Sequence, residues 1–405
     1  MQSIKVQLKI ISPVHIGTGE VYEPTEFFID PSRKELCVID FERFCAHFSE
    51  QELKAFKALC LKGTLENLVK LYTLVDALAR IYLNQGLSDF IVRRIGLCEG
   101  FLDHYRRVKQ LSGRDLKKEF NRFTIYRTAY SPNDNQPIIP GSSLKGALRT
   151  AVLNKRRSKA RGRSAQNYCQ GRRCDSKRLE SEILEYPRNR FQQDPFRLVK
   201  ISDFRPKGPV KTRIVYAVNR KKDGTRARGP YQMLEVIEPG AVFEGEIAVH
   251  EAIPLKKLKN PEKDGIKSPL SWEEIIEAAK AFYGKERDRE FEDLSRMGAG
   301  VPIFPEKGAP LRLGRHSGAE CVTIEGFRHI LIRGKGRQNT YQDHATTLWL
   351  AAEFSKVHST SGLKPFGWAA FYEANTNLQD GYPSQRPQPL DISKLGKRFK
   401  VVKKK

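Results

Sequence analysis

The sequence predicts an α+β protein built from two successive ferredoxin-like units, the first carrying a helical insertion and a basic β-hairpin. Three patterns predict it. Residues 3–11 (SIKVQLKII) alternate apolar and polar side chains, the period of a half-buried strand, and a further strand pattern follows at 241–249 (AVFEGEIAV). Between them, Leu65, Leu68, Val69, Tyr72, Val75 and Leu78 keep helical spacing. Strands that sandwich single helices, in two units each interrupted by a long insertion, suggest sheets of the ferredoxin-like kind.

Each element has a local justification. The first strand stops at Ser12-Pro13, and VHIGTGE (14–20) is a glycine-containing turn. Strands follow near EFFID and ELCVID, joined by the turn DPSRK, and the spacing then becomes helical over about 42–120. After Pro137, IPGSSLKGALRT opens a helix whose inner side is Ala147, Leu148, Ala151, Val152 and Leu153. Residues 155–178 are too poor in apolar groups to pack and predict a mobile loop. The arms 210–218 and 230–238 with KKDG near the tip predict a basic hairpin, so the basic loop and hairpin span about 155–238 of a first domain, 1–240. A second domain, 241–390, holds a helix from about Ser271 to Arg296, the glycine-rich LRLGRHSGAECVTIEG (311–326) and KPFGWAAFY (364–372). Residues 391–405 are expected to be a disordered basic tail.

Composition bounds the function. The 405 residues carry 72 Lys and Arg against 47 Asp and Glu, a formal charge of +25. The excess clusters: 155–178 holds ten basic residues and one acid, and 205–228 nine and one. Patches of this kind, more than totals, bind nucleic-acid phosphates. No apolar run is long enough to span a bilayer, and the first residues lack a signal-peptide layout, which predicts a cytoplasmic protein with no membrane partner. Seven cysteines argue against a disulfide framework; Cys169 and Cys174 lie near each other, but no second pair with zinc spacing follows, so neither a metal nor another cofactor is expected.

Four motifs carry the candidate chemistry. In IPGSSLKGALRT, Gly141 suits a tight turn, Ser142 or Ser143 can cap the helix, and Lys145 and Arg149 beside Gly146 would make its positive end a phosphate site. The lysine precedes the second glycine, which excludes a nucleotide-hydrolysing P-loop. SPVHIGTGE places His15 before Gly17 and Gly19, as a general base for RNA cleavage or as a ring that hydrogen-bonds to backbone and shapes the turn. GRHSG brings Arg315, His316 and Ser317 between Gly314 and Gly318, where amides, a guanidinium and a hydroxyl could meet one phosphate. PFGWA offers Phe366 and Trp368 for base stacking or for a core. No metalloprotease, nucleophile-elbow or dinucleotide fingerprint appears.

Taken in order, ISPVHIGTGE, IIPGSSLKGALRTAVL, RLGRHSGAECVTIEG and KPFGWA resemble the RAMP superfamily of CRISPR-associated RNA-binding proteins, most nearly the fifth subunits of type III-A Csm effector complexes. The resemblance implies RRM-like domains and a non-catalytic subunit that caps the complex near the 3′ end of the CRISPR RNA (crRNA). It implies crRNA, target RNA and neighbouring Csm backbone subunits as partners, and support of crRNA 3′ maturation through recruited cellular nucleases. His15, Gly17, Gly19, Gly141, Ser142, Ser143, Lys145, Gly146, Arg149, Arg315, His316, Ser317 and Gly318 would then contact RNA, and the basic hairpin would be a thumb-like projection. Two alternatives stay open. One is a metal-independent repeat endoribonuclease using His15 and Lys145; the other cleaves target RNA through a metal-bound aspartate, for which Asp30, Asp40 and Asp203 are available.

Overall fold

A computed structural model describes residues 2–374 apart from 121, 161, 228 and 334–338. The basic tail and residues 375–390 of the second unit therefore lie outside the described residues. In chain order the strands are β1 (Gln2–Ile10), β2 (Gly17–Val21), β3 (Phe27–Asp30), β4 (Glu35–Ile39), β5 (Ile91–Leu97) and β6 (Ile125–Thr128). Next come β7 (Cys169–Gln170), β8 (Arg173–Cys174), β9 (Val199–Ile201), β10 (Arg205–Pro206), β11 (Thr212–Lys221), β12 (Gln232–Ile237) and β13 (Val242–Val249). The last are β14 (Ala309–Arg312), β15 (Ile330–Ile332), β16 (Thr340–Gln342), β17 (Thr347–Ala352), β18 (Lys364–Pro365) and β19 (Trp368–Glu373). The helices are α1 (Phe41–Ala46), α2 (Glu50–Leu61), α3 (Leu65–Asn84), α4 (Phe101–Gln110), α5 (Gly113–Phe120), α6 (Gly141–Arg156), α7 (Ser176–Ile183), α8 (Pro261–Asp264) and α9 (Trp272–Met297).

Local chemistry sets many of the boundaries. The Asp30 carboxylate accepts from the Ser32 and Arg33 amides and closes the β3–β4 turn. Ser49 and Glu52 form a reciprocal capping box at the start of α2, and Ser271 caps α9, which ends at Gly298 in the left-handed conformation at φ +68°.

Among the described residues, two large sheets form. One has six strands, ordered β10-β13-β1-β19-β14 with β9 on β13. Helices α6 and α9 cover it, and Leu144, Leu148, Ile275 and Phe282 share a core with Val6, Leu8 and Phe371. The other has nine strands, ordered β2-β6-β12-β11-β5-β4-β3 with β17 on β11 and β18 on β17. Its core joins Leu36, Ile95 and Tyr216 to Tyr72, Phe101 and Tyr105 of α3 and α4.

Mixed α+β architecture is what the sequence predicts, but four details differ. Within 42–120, β5 intrudes and pairs with β4 and with β11, so this stretch is knitted into the second sheet. The described residues of 155–178, all but 161, form short helical turns and the β7–β8 hairpin, where acids from outside the segment pair with them: Arg156 pairs with Glu274, and Arg163 and Arg178 with Glu182. The arms of the basic hairpin are not a free projection; β11 lies between β12 on one side and β17 and β5 on the other, with residues 214–218 buried. Finally, β13 and β19 both pair with β1, so strands from either side of residue 240 share one sheet. The β7–β8 register also sets Cys169 opposite Cys174, and the two are joined as a disulfide, a single bridge and no framework among the described residues.

Candidate nucleic-acid interface

Three of the four motifs, drawn from opposite ends of the chain, interlock into one structure. The Arg315 amide donates to the His15 carbonyl at 2.9 Å, the Gly367 amide to the Pro13 carbonyl at 2.8 Å, and the Leu313 amide to the Gly367 carbonyl at 2.8 Å. The Ser12 hydroxyl accepts from the Trp368 amide at 2.9 Å. Gly314 has φ +78° and a Cβ there would stand 2.3 Å from the His15 carbonyl oxygen; Gly367 has φ +85° and a Cβ would meet the Leu313 oxygen at 2.5 Å. Only glycine permits both the conformation and the approach. This weave leaves Gly17, Thr18, Gly19 and Gly314 at the surface beside a half-exposed Arg315.

The rings beneath that surface are structural. His15 is fully buried, its Nδ1 2.7 Å from the Glu235 carbonyl, and burial first, then the nearby Arg315, lowers its pKa to about 4. His15 is thus neutral, with Nδ1–H donating, and the enclosed ring has no face for a substrate. Beneath it, the wholly buried Glu235 side chain accepts from Tyr22, Tyr130 and the Thr128 amide, and burial raises its pKa. His316 has φ +64°, stacks on Trp349 with centroids 4.6 Å apart, and lies 3.0 Å from the Gln232 side-chain oxygen. Burial, then Arg315, His15 and Arg312, lowers its pKa to about 3. Ser317 is buried and donates to the Gly314 carbonyl at 2.6 Å, holding the loop. Gly318, at φ +78°, sits over the buried Arg312–Glu290 pair. Phe366 and Trp368 have no exposure and belong to the core.

The fourth motif stands apart and is built differently from its prediction. Neither serine caps α6; the Gly141 amide instead donates to the Asp203 carboxylate at 2.9 Å, placing an anion at the helix's positive end. Gly141 is held against the Ile201 and Ser202 carbonyls, which a Cβ would meet at 2.3 and 2.6 Å. Lys145 donates to the Val199 carbonyl at 2.8 Å, and burial lowers its pKa. Arg149 bridges Glu180 and Asp194 at 2.7 and 2.8 Å, its charge matched within the fold. Ser142 and Gly146 are exposed and Ser143 half-buried. Asp203 is therefore occupied as a cap, as are Asp30 in its turn and Asp40 at the start of α1.

Residues that the motif search passed over complete the surface. A cavity of about 1120 Å³ opens beside the GRHSG loop, lined by Asn219, Lys221, Arg312, His316, Ser317 and Trp349 among others. Across the β11–β12 tip, a second cavity of about 400 Å³ is lined by Arg107, Arg122, Arg220, Arg226 and Lys356, with Glu119 facing them. Asn219, Ala227 and Gly229 line both, so the two basins flank one tip. Arg315 lies over the Tyr126 ring at 4.5 Å. These basic residues come from α4, from the loops after α5 and β17 and from the β11–β12 tip, too scattered in sequence to give a motif, and the cluster at 205–228 signalled only Arg220, Lys221 and Arg226.

The sequence profile of the RAMP superfamily matches residues 7–294, more than half of the chain. The chain belongs to the RAMP superfamily. It is 26% identical over 151 residues to the "CRISPR system Cms protein Csm5" of Methanocaldococcus jannaschii, a match covering 37% of this chain and 30% of that relative's length. The fold is similar to a chain of the "Csm-crRNA-target RNA ternary complex in type III-A CRISPR-Cas system", with TM-score 0.54, 20% identity, and 92% and 100% of the two chains covered. T. onnurineus Csm5 aligns with TM-score 0.49 and 19% identity over 90% of this chain and 99% of the other. Among the described residues of this RAMP protein, no helix is long and apolar enough to cross a membrane.

Proposed function

We propose that this RAMP protein is a non-catalytic crRNA-binding subunit of a cytoplasmic type III-A Csm complex, capping its backbone near the crRNA 3′ end. Its partners are crRNA, target RNA and the neighbouring Csm backbone subunits, and it supports 3′ maturation by recruiting cellular nucleases. One observation carries the reading: the interlocked loops present Gly17, Gly19 and Arg315 beside a cavity edged by Lys221, and no described acid pairs with either cation's side chain. Exposed glycine backbone and unmatched guanidinium are what a sugar-phosphate chain needs, without base reading. His316, Ser317 and Gly318 shape that loop, and Gly141, Ser142, Ser143, Lys145, Gly146 and Arg149 form a second edge around α6 at which Ser142 and Gly146 meet the RNA backbone. His15 acts from below, as the buried support of its turn.

The cleavage reading finds no support in this geometry, because a general base must reach the hydroxyl it deprotonates and His15 is enclosed. The test is purification of the tagged chain from its native host. Recovery of short crRNAs and Csm subunits, with intact repeat RNA after incubation with the isolated chain, is the expected result. Repeat cleavage that survives chelation and is lost in His15→Ala would overturn it.

A further inference from the structure

Away from the interface, two cysteines and a histidine from distant parts of the chain converge on the basic segment. Cys169 and Cys174 face each other across the β7–β8 hairpin with Cα atoms 4.0 Å apart. His329, just before β15, reaches the hairpin turn, where its Nε2 lies 2.9 Å from the Gly171 carbonyl. Its ring is held flat on Tyr341 of β16, 3.8 Å between centroids and 9° between planes. The two sulfurs and one imidazole nitrogen all lie within 4.8 Å of one another.

We propose that, with the Cys169–Cys174 bond reduced, these three side chains form a zinc site whose fourth position is open to water. The CQGRRC spacing, with four residues between the cysteines, falls in the range of zinc-binding turns. Zinc bonds of about 2.3 Å to sulfur and 2.0–2.1 Å to nitrogen place tetrahedral donors roughly 3.5–3.8 Å apart, within the 4.8 Å that bounds the three donor atoms, with the sulfurs separating once their bond is reduced. Two thiolates and an imidazole select zinc over magnesium or calcium, which take oxygen. A histidine ligand commonly gives its other ring N–H to a carbonyl, the part Gly171 is placed to play. Arg172 and Arg173 at the turn favour the thiolate forms.

The chemistry balances. A dithiol reductant, itself oxidised to a disulfide, supplies two electrons that cleave the S–S bond and leaves two thiols; zinc then displaces their two protons. The bound metal ties the hairpin to the segment after α9, where the adjacent Arg328 pairs with Glu286 of the core. The sequence alone shows two ligands of this set, since the third is supplied by tertiary folding.

The full chain, reduced and kept under argon, is loaded with cobalt(II) and read by its thiolate-to-cobalt charge-transfer absorption, with zinc content measured in parallel after dialysis. One metal per chain is expected. Cys174→Ser should abolish the band and His329→Gln should weaken binding at least about 10-fold, while Cys60→Ser, at an exposed thiol elsewhere, leaves both readouts unchanged. Absence of the band in the fully reduced chain, its persistence in the Cys169→Ser/Cys174→Ser double variant, or unchanged affinity in His329→Gln would each overturn the proposal. Far-ultraviolet circular dichroism checks that each variant folds, and His329→Gln leaves the hairpin sequence intact if a cysteine variant does not.

Discussion

Replacing Gly314 by alanine tests the joint between the two ends of the chain. The added Cβ stands 2.3 Å from the His15 carbonyl oxygen and 3.0 Å from its carbon, so the loops must part by about 1 Å to reach ordinary contact. Three costs follow. The left-handed backbone at φ +78° disfavours alanine by about 1–2 kcal/mol. Overpacking against backbone costs about 1–3 kcal/mol more, and stretching the Arg315–His15 hydrogen bond loses about 1 kcal/mol. The expected destabilisation is about 4 kcal/mol. Gly19 supplies the control, since it too has positive φ, at +88°, yet a Cβ there meets nothing within 4 Å. Gly19→Ala should cost only the conformational part, about 1–2 kcal/mol. Urea unfolding followed by tryptophan fluorescence measures both, compared at equal slope. Midpoints for the two variants that agree within the equivalent of about 1 kcal/mol would refute the claim that close approach, beyond backbone conformation, makes Gly314 necessary.

Further expectations concern charge. His15 titrates near 4 when folded and near 6.5 when unfolded, so the unfolded chain binds the extra proton; stability present above about pH 6.5 falls by about 3 kcal/mol as pH drops towards 4, and His15→Gln should flatten that part of the urea-midpoint profile. Arg149→Ala strands the half-buried Glu180 and Asp194 and should lower stability by about 2–3 kcal/mol by thermal unfolding; a loss under about 0.5 kcal/mol would show that the pair does not matter. Glu235→Gln replaces an acceptor of two hydroxyls and an amide by a group that must also donate, and should cost about 1–3 kcal/mol in the same assay. Arg315→Ala should leave stability within about 0.5 kcal/mol and reduce the slope of log affinity against log salt for single-stranded RNA by about 0.7.

The readable parts of this protein are those with a short period. The alternation of β1 and the span of α9 emerge within a residue or two of their expected ends, and the Leu65–Leu78 stripe lies within α3, which runs on to Asn84. β5 does not, because in IVRRIGL the exposed positions are Val92 and Arg94 while Arg93 is half-buried, which breaks the apolar alternation, and its strand state depends on β4 and β11, both distant in sequence. The same holds at the interface. Glycines at Gly314 and Gly318 mark a tight loop in the sequence itself, whereas the matched charge of Arg149 depends on Glu180 and Asp194, and the capping of α6 depends on Asp203, sixty-two positions away. Basic residues counted in sequence say nothing of which acids meet them. In 155–178 Lys155, Arg156, Arg157, Lys159, Arg163 and Arg178, part of the basic excess that suggested a phosphate-binding patch, are spent on internal pairs, and the cavities beside β11 hold further basic side chains.

The position of β1 has a consequence for biosynthesis. Its two edges are completed by β13 and β19, so Val6, Leu8 and Ile10 wait for residues 242–249 and then 368–373 to leave the ribosome. At about 5–20 residues per second, that second delay is on the order of 20–70 s. Throughout it a nascent chain carries β1 with at least one edge open, a template for the wrong partner as much as for the right one. A chain halted before Trp368 would lack not only an edge of the sheet but also the backbone that fastens Pro13 and Leu313. Quality control for this fold is thereby built into translation: the interlocked loops can be assembled only from a polypeptide synthesised almost to residue 374.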